Sequence, residues 1–530
     1  MKFFLRLACG AVAFGIVGAT AAQAVTPRDT IIMAKTIDDI VSLDPGEAYE
    51  LSSAEVIGNL YDRLLDYDAR TPGKVKGELA TRWRVAPDGR TFTFTLRQGV
   101  HFITGRPMTA ADAAFSIRRA VMMNRAPAVV LNAIGLTRAN AGRDVVAAGP
   151  STLVLRLPRP LAPSFVYLCL TGTVASILDE ATVMAHQAGH DRGNEWLARH
   201  WAGTGPYRLV VWRPGEYYAL EANPAYWGPP PKTPRIIVRD VKDAETQRLM
   251  LERGDIDYAR NLDKDQIAAL RKNPAIRFDK GIESAIIYLA LNRKNPDLRR
   301  PDVIEALKYL VDYDGIAHAI LGGTAIVHQS FEPINFLGSI ADQPFGFDLA
   351  KAMALLAKAG LPHGFHVTMD VRDASPDIEI AEALQAGFAK AGIRVEIIPG
   401  DAKQVLTKYR ARHHDIFLGE WEPDYPDPNS NAEGFIVNPD NSASAGLRTP
   451  AWRNSWQDLA MMREVAAALI QPDDQRRARM YGRLERQFMA RAPYVMLFEK
   501  IAVAAHRADV GGFKLGITSE FDRYAGIVKK

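Results

Sequence analysis

Cysteine is nearly absent from this chain: Cys9 and Cys169 are the only two in 530 residues. Cys9 falls in a leader-like start, so the body keeps a single thiol and no internal disulfide can form. Cys169 has no evident catalytic partner and reads as a small buried apolar residue. Excess charge of one sign is also missing, with 65 bases against 61 acids, so nothing attracts nucleic acid. No Gly-x-Ser-x-Gly elbow, internal repeat, heptad array or low-complexity tract occurs. His186 and His190 have the spacing of a zinc peptidase helix, but position 187 is Gln, so the general base of that motif is missing. Gly203-Thr204-Gly205-Pro206-Tyr207 lacks the Gly-Lys-Ser/Thr ending of a phosphate loop and reads as a tight turn.

Long apolar runs are confined to the start. MKFFLRLACGAVAFGIVGATAAQA has a basic opening (Lys2, Arg6), an apolar stretch and the small-x-small site Ala22-Gln23-Ala24, the pattern of a secretory signal peptide over residues 1–24. Leu7 to Ala22 is 16 residues, short of the roughly 20 that a spanning helix needs. Arg6-Leu7-Ala8 before Cys9 makes a poor lipoprotein site. Cleavage after Ala24 would leave 506 residues with 63 bases and 61 acids, a net charge of +2. That length exceeds the roughly 250–300 residues at which one core stops growing, so two or more lobes are expected.

What is present is alternating strand and helix. TIIMA (30–34) and STLVLRLP (151–158) read as strands, and residues 53–65 carry Val56, Leu60 and Leu64 at helical spacing. TFTFTLR follows the turn at 86–89 and puts Phe92, Phe94 and Leu96 on one face. Thr109 with Asp112 resembles a capping box. A strand-rich subdomain is expected at about 66–194. IESAIIYLALN, from Ile282, reads as a buried strand. A helix at 348–359, closed by Gly360 and Pro362, precedes strand 366–371, helix 376–391, strand 393–398, helix 401–412 and strand 415–421. Crossover helices of this length imply parallel strands. His413 and His414 then fall at a helix end, where a cation offsets the dipole; His363 and His366 flank a turn.

DIFLGEWEPDYPDP (415–428) runs an apolar strand into a turn whose prolines stop it, leaving Asp424 and Asp427 at the carboxyl end. Open α/β sheets bind ligands there. HVTMDVR ends its strand in Arg372 at the same expected edge. One acid and one base there suit a zwitterion such as a short peptide: Asp424 for the ammonium, Arg372 as a two-donor fork for the carboxylate, and Trp421 and Tyr425 as local aromatics. A bland reading stands beside it, with Asp424 capping a turn and Arg372 in solvent.

The chain resembles the family 5 extracellular solute-binding proteins, the dipeptide, oligopeptide and nickel receptors of ABC importers. The resemblance runs through SLDP (42–45), VIGNLYDRLLDYD (56–68), LATRWRVAPDGRTFTFTLRQGVHFITGRPMTAADAAFS (79–116), GTGPY (203–207), NPAYW (223–227), RGDID (253–257), LLAKAGLPHGF (355–365) and WEPDYPDP (421–428). It implies an α/β fold, the two-lobed type II periplasmic-binding-protein form with three subdomains, mixed sheets and a hinge of two crossing segments. The first lobe is expected at 25–280 plus 499–530 and the second at 281–498. In peptide-binding members the Asp of Trp-x-x-Asp holds the amino terminus, here Trp421-Glu422-Pro423-Asp424. Dipeptide binders hold the carboxylate with an Arg before the following helix; Arg372 sits one residue short of that spacing. The implied function is a periplasmic, monomeric, non-catalytic receptor that hands a short peptide to an inner-membrane ABC permease, with neither cofactor nor metal. An opine, a glycoside or a nickel chelate are alternative cargoes. A rival reading is an exported hydrolase using Asp424, Asp427 or Glu422 as acid and base.

Overall fold

The structure, a computed structural model, describes residues 26–530 apart from 69, 70 and 72. The expected signal peptide lies outside the described residues.

Two long strands organise the molecule. Ile276–Leu291 and Tyr494–Arg507 lie antiparallel at the centre of an eleven-stranded mixed sheet. Their pairing runs from Ile276↔Arg507 to Ile282↔Ile501, slips, and resumes from Ile286↔Glu499 to Ala290↔Tyr494. Such a slip bends a strand and breaks the ladder locally. On one side of the slip the sheet continues through Tyr258–Ala259, Thr30–Lys35, Arg235–Asp240, Tyr217–Ala222 and Tyr207–Arg213. On the other it continues through Ile416–Trp421, His366–Arg372 and Arg394–Gly400. The two crossing strands thus join two lobes. From Ser284 to Leu291 every residue of the first crossing strand is buried, because both faces are covered, whereas residues 277–283 are at least partly open.

The second lobe forms the expected alternation: helix Leu349–Lys358, strand His366–Arg372, helix Asp377–Ala389, strand Arg394–Gly400, helix Ala402–Arg410 and strand Ile416–Trp421. The three strands are parallel, with His366–Arg372 between the other two. Asp348, whose carboxylate accepts the Lys351 N–H, starts the first helix, and Gly360, at φ +79°, follows its end. Trp421 pairs with Ile286, where the crossing strand enters this lobe. The carboxyl ends of the parallel strands therefore face the space between the lobes.

The first lobe carries a small antiparallel sheet of Ala80–Val85, Thr91–Leu96, Thr152–Arg156 and Val145–Ala147. Phe92, Phe94 and Leu96 are buried under helix Ala110–Met123, whose Asp112 carboxylate accepts the Thr109 backbone N–H at 2.9 Å. The core of this sheet also takes in Tyr425 from the second lobe.

Two expectations are corrected. The helix read at 53–65 is Leu51–Leu60. It stops because the Gly203–Tyr207 turn closes on its last residue: the Gly205 N–H donates to the Leu60 carbonyl at 3.1 Å, and a Cβ on Gly203 or Gly205 would lie 2.5–2.6 Å from the Leu60 backbone. Those glycines serve close backbone approach. His414, read as a cation at a helix end, is a buried neutral ring 3.0 Å from Asn454 Oδ1, and burial pushes its pKa down to about 4. The preceding helix ends at Arg410, so its dipole does not reach this ring.

Candidate functional site

Between the lobes lies a chamber of about 690 Å³, lined by Lys35, Asp39 and Arg260 of the first lobe, Glu283 and Lys500 of the crossing strands, and Ser375 and Pro376 of the second lobe. A second space of about 180 Å³ shares Leu51, Thr518 and Ser519 with it, and is lined further by Tyr49, Pro127, Val130, Val174, Glu422 and Asp424. The two form one cleft, within the size range of small-ligand sites.

Asp424 is set by the turn that follows Ile416–Trp421. Its backbone N–H donates to Ser430 Oγ at 2.8 Å, in the helix Pro428–Ile436, which Asp427 caps by accepting the Asn429 N–H. The carboxylate opens on the cleft and accepts a hydrogen bond from the Tyr49 hydroxyl across it. Enclosure by protein pushes the Asp424 pKa up, and the Tyr49 bond pulls the other way. Burial, then the Asp424 charge, holds the Tyr49 hydroxyl well above its ordinary range, so Tyr49 is a donor at neutral pH.

Beside it, Glu422 is pushed up to about 7, by burial first and then by Glu283 and Glu420, with Lys500 opposing. Lys500 donates to Glu420 at 3.2 Å. Burial disfavours its charge, but the carboxylates of Glu283, Glu420 and Glu422 outweigh that and keep it protonated.

The other residues singled out from the sequence are placed differently. Trp421 turns into the second lobe: its indole N–H donates to Asn431 Oδ1 at 2.9 Å and its ring meets Phe435 edge-on at 5.6 Å. Tyr425 is 4% exposed, packs on Phe165 at 5.6 Å and accepts from Asn429 Nδ2. Arg372 ends its strand with a half-exposed side chain, 3.6 Å from Asp377. Asp427 is fully buried and bidentate to Arg477, with both contacts at 2.6 Å. His363 and His366 are exposed, and His366 opens its strand at the end away from the cleft. His186 stacks on Trp196 at 4.3 Å, and among the described residues no group of three or more His, Cys, Asp or Glu side chains could hold a metal ion. Cys169 is buried and free, and burial raises its thiol pKa.

Tyr49, Glu283 and Lys500 were not singled out from the sequence. Tyr49 gave no signal. Lys500 did: Glu499-Lys500 interrupts the apolar run VMLFEKIAVAA, and charge inside a buried strand asks for a partner or a cavity.

Comparisons with known proteins bear on the family and the fold. The model of "Bacterial extracellular solute-binding proteins, family 5 Middle" matches residues 74–442. The "Probable D,D-dipeptide-binding periplasmic protein DdpA" of Escherichia coli K12 is 29% identical over 501 residues, covering 93% of this chain and 92% of that protein. The "Glutathione-binding protein GsiB" of Salmonella typhi is 26% identical over 509 residues, covering 94% and 95%. The Helicobacter pylori periplasmic binding protein DppA, solved in complex with the peptide STSA, superimposes with a TM-score of 0.75 at 25% identity, covering 94% of this chain and 98% of that one. The fold is that of the type II periplasmic binding proteins. The chain belongs to family 5 of the bacterial extracellular solute-binding proteins.

Proposed function

We propose that this protein captures short peptides in the periplasm and passes them unaltered to an inner-membrane ABC permease, acting as a monomer without catalysis. The observation that carries the reading is Asp424: a carboxylate at the carboxyl edge of the second lobe's parallel strands, facing the first lobe across the cleft. A free ammonium buried in that cleft must be paired, because an uncompensated buried charge costs several kcal/mol. Asp424 supplies the pair. Lys500, which lines the chamber, is the cation for the peptide's carboxylate; Arg372 ends its strand beside Asp377, outside the chamber lining.

The lobes are taken as 25–280 with 499–530, and 281–498. Ligand contacting both lobes binds the closed form better and so shifts the population toward it, with the register slip at 282–286 as the bend. The names of the relatives, a dipeptide binder and a glutathione binder, support a peptide cargo. Asp427, a possible acid or base in a hydrolase, is engaged through both oxygens by Arg477 and out of reach of a substrate.

Calorimetric titration with dipeptides and tripeptides, each with a free and with an acetylated amino terminus, tests the reading. Free peptides bind one to one, and acetylation removes at least tenfold in affinity. Equal affinity for both forms would take the ammonium away from Asp424.

A further inference from the structure

We propose that the chamber is built for peptides that carry a cationic side chain near the amino terminus, in addition to the terminal ammonium itself. The inference rests on the peptide-receptor reading above and goes further by naming the cargo's charge.

The cleft is lined by eight carboxyl side chains and four cationic ones. Most of the cations are already engaged. Lys35 binds Glu55, Arg260 reaches Glu55 at 2.8 Å and Asp522 at 2.7 Å, and Lys500 reaches Glu420. Lys264 donates to the Ala319 carbonyl. Most of the acids are matched as well: Asp38 pairs with Lys242, Asp522 with Arg260, and Asp39, Asp263 and Glu520 accept backbone N–H groups. Among the described residues Glu283 and Glu422 make no hydrogen bond or ion pair, although both line the cleft, and the hydrogen bond of the Asp424 carboxylate comes from the neutral hydroxyl of Tyr49.

The positions matter as much as the count. Glu283 sits on a crossing strand between the two halves of its pairing, and Glu422 is the first residue past the end of Ile416–Trp421, two before Asp424. Glu283 and Glu420 both repel Glu422, with one lysine, Lys500, among them. Above about pH 7, where Glu422 is charged, like charges so placed destabilise the empty closed cleft. A cation beside Glu422 relieves the repulsion and makes a desolvated charge pair when the lobes shut. A neutral side chain leaves the repulsion standing, and an acidic one adds to it. Leu51, Pro127, Val130 and Val174 give an aliphatic stem an apolar wall.

The experiment is calorimetric titration of the full chain, freed of carried-over ligand, with Ala-Ala, Lys-Ala, Ala-Lys, Glu-Ala and Ala-Glu. At least one lysine peptide binds tenfold or more tightly than Ala-Ala, and both glutamate peptides bind more weakly than Ala-Ala. In Glu422→Gln the ratio of the better lysine peptide to Ala-Ala falls to threefold or less. Binding of all five without this order overturns the cationic preference and leaves the peptide reading standing, as does an unchanged ratio in Glu422→Gln. Failure of all five to bind overturns both.

Discussion

The hydroxyl of Tyr49 donates to the carboxylate of Asp424, tying together residues 375 positions apart from opposite walls of the cleft. A hydrogen bond to a charged group contributes about 1.5–3 kcal/mol when desolvated and less where both residues are exposed, as here, so this contact biases the ligand-free molecule modestly toward closure. Tyr49→Phe removes it without removing the ring. Small-angle scattering of the ligand-free variant is expected to give a larger radius of gyration than the parent, and saturating peptide should restore the parent's compact value. An identical ligand-free radius would mean the bond does not influence closure.

Asp424→Asn keeps shape and removes charge. Its carboxylate faces the cleft and no buried cation depends on it, so the unliganded melting point should move by no more than a degree or two. The loss of a desolvated charge partner costs on the order of 2–5 kcal/mol of binding. Peptides with free amino termini should therefore bind at least thirtyfold more weakly in calorimetry. Parent-like affinity would place the ammonium elsewhere.

Asp427, three residues on, behaves in the opposite way. It and Arg477 are fully buried and paired through both oxygens, with Arg477 also 3.3 Å from Ser164 Oγ of helix Pro163–Cys169. Removing one partner of such a pair costs about 3–5 kcal/mol, because the other charge is left uncompensated. Asp427→Ala should lower the melting point by several degrees or prevent accumulation of folded protein. A melting point within a degree of the parent would contradict the pairing.

Glu485 is buried, accepts from Ser330 Oγ and, at 3.4 Å, from the Ile340 N–H, and has one oxygen without a partner. Burial pushes its pKa up to about 8; Ser330, Ile340 and Arg486 oppose and Asp342 adds to the rise. Buried Glu332 lies close enough for the two carboxyls to repel. The unfolded chain binds this proton only below about 4.3, so between that pH and 8 the folded state holds more protons and stability falls as pH rises. Glu485→Gln cannot ionise. Its melting-point advantage over the parent should grow by several degrees from pH 5 to pH 8.5, while a constant difference would mean Glu485 does not titrate on unfolding.

The second lobe was legible because its signals are local. Helical and strand periods alternate cleanly from 348 to 421, Gly360 marks a stop, and crossover helices force parallel strands. The 415–428 segment could be placed at a strand's carboxyl end for the same reason. Long-range partnership was not legible. Gly203 and Gly205 read as a turn, and only the fold shows them pressed against Leu60 to end another helix. Several pieces that carry the family resemblance prove to be scaffold: Asp44 of SLDP pairs with buried Arg119, Asn223 of NPAYW donates to the Gly205 carbonyl, and Trp227 donates to Asp62. Trp421 and Tyr425 could be assigned to the site's neighbourhood but not to a direction, since which way a ring points depends on Asn431, Phe435 and Phe165. Tyr49 had no sequence signature because its role exists only across the gap that folding creates.

Native mass spectrometry of the purified chain mixed with a lysine-containing dipeptide tests the central claim most directly. The account predicts one dipeptide of unaltered mass held per chain, no cleavage products in solution, and loss of the adduct in Asp424→Asn. A chain that retains nothing, or that releases free amino acids from the dipeptide, would contradict it.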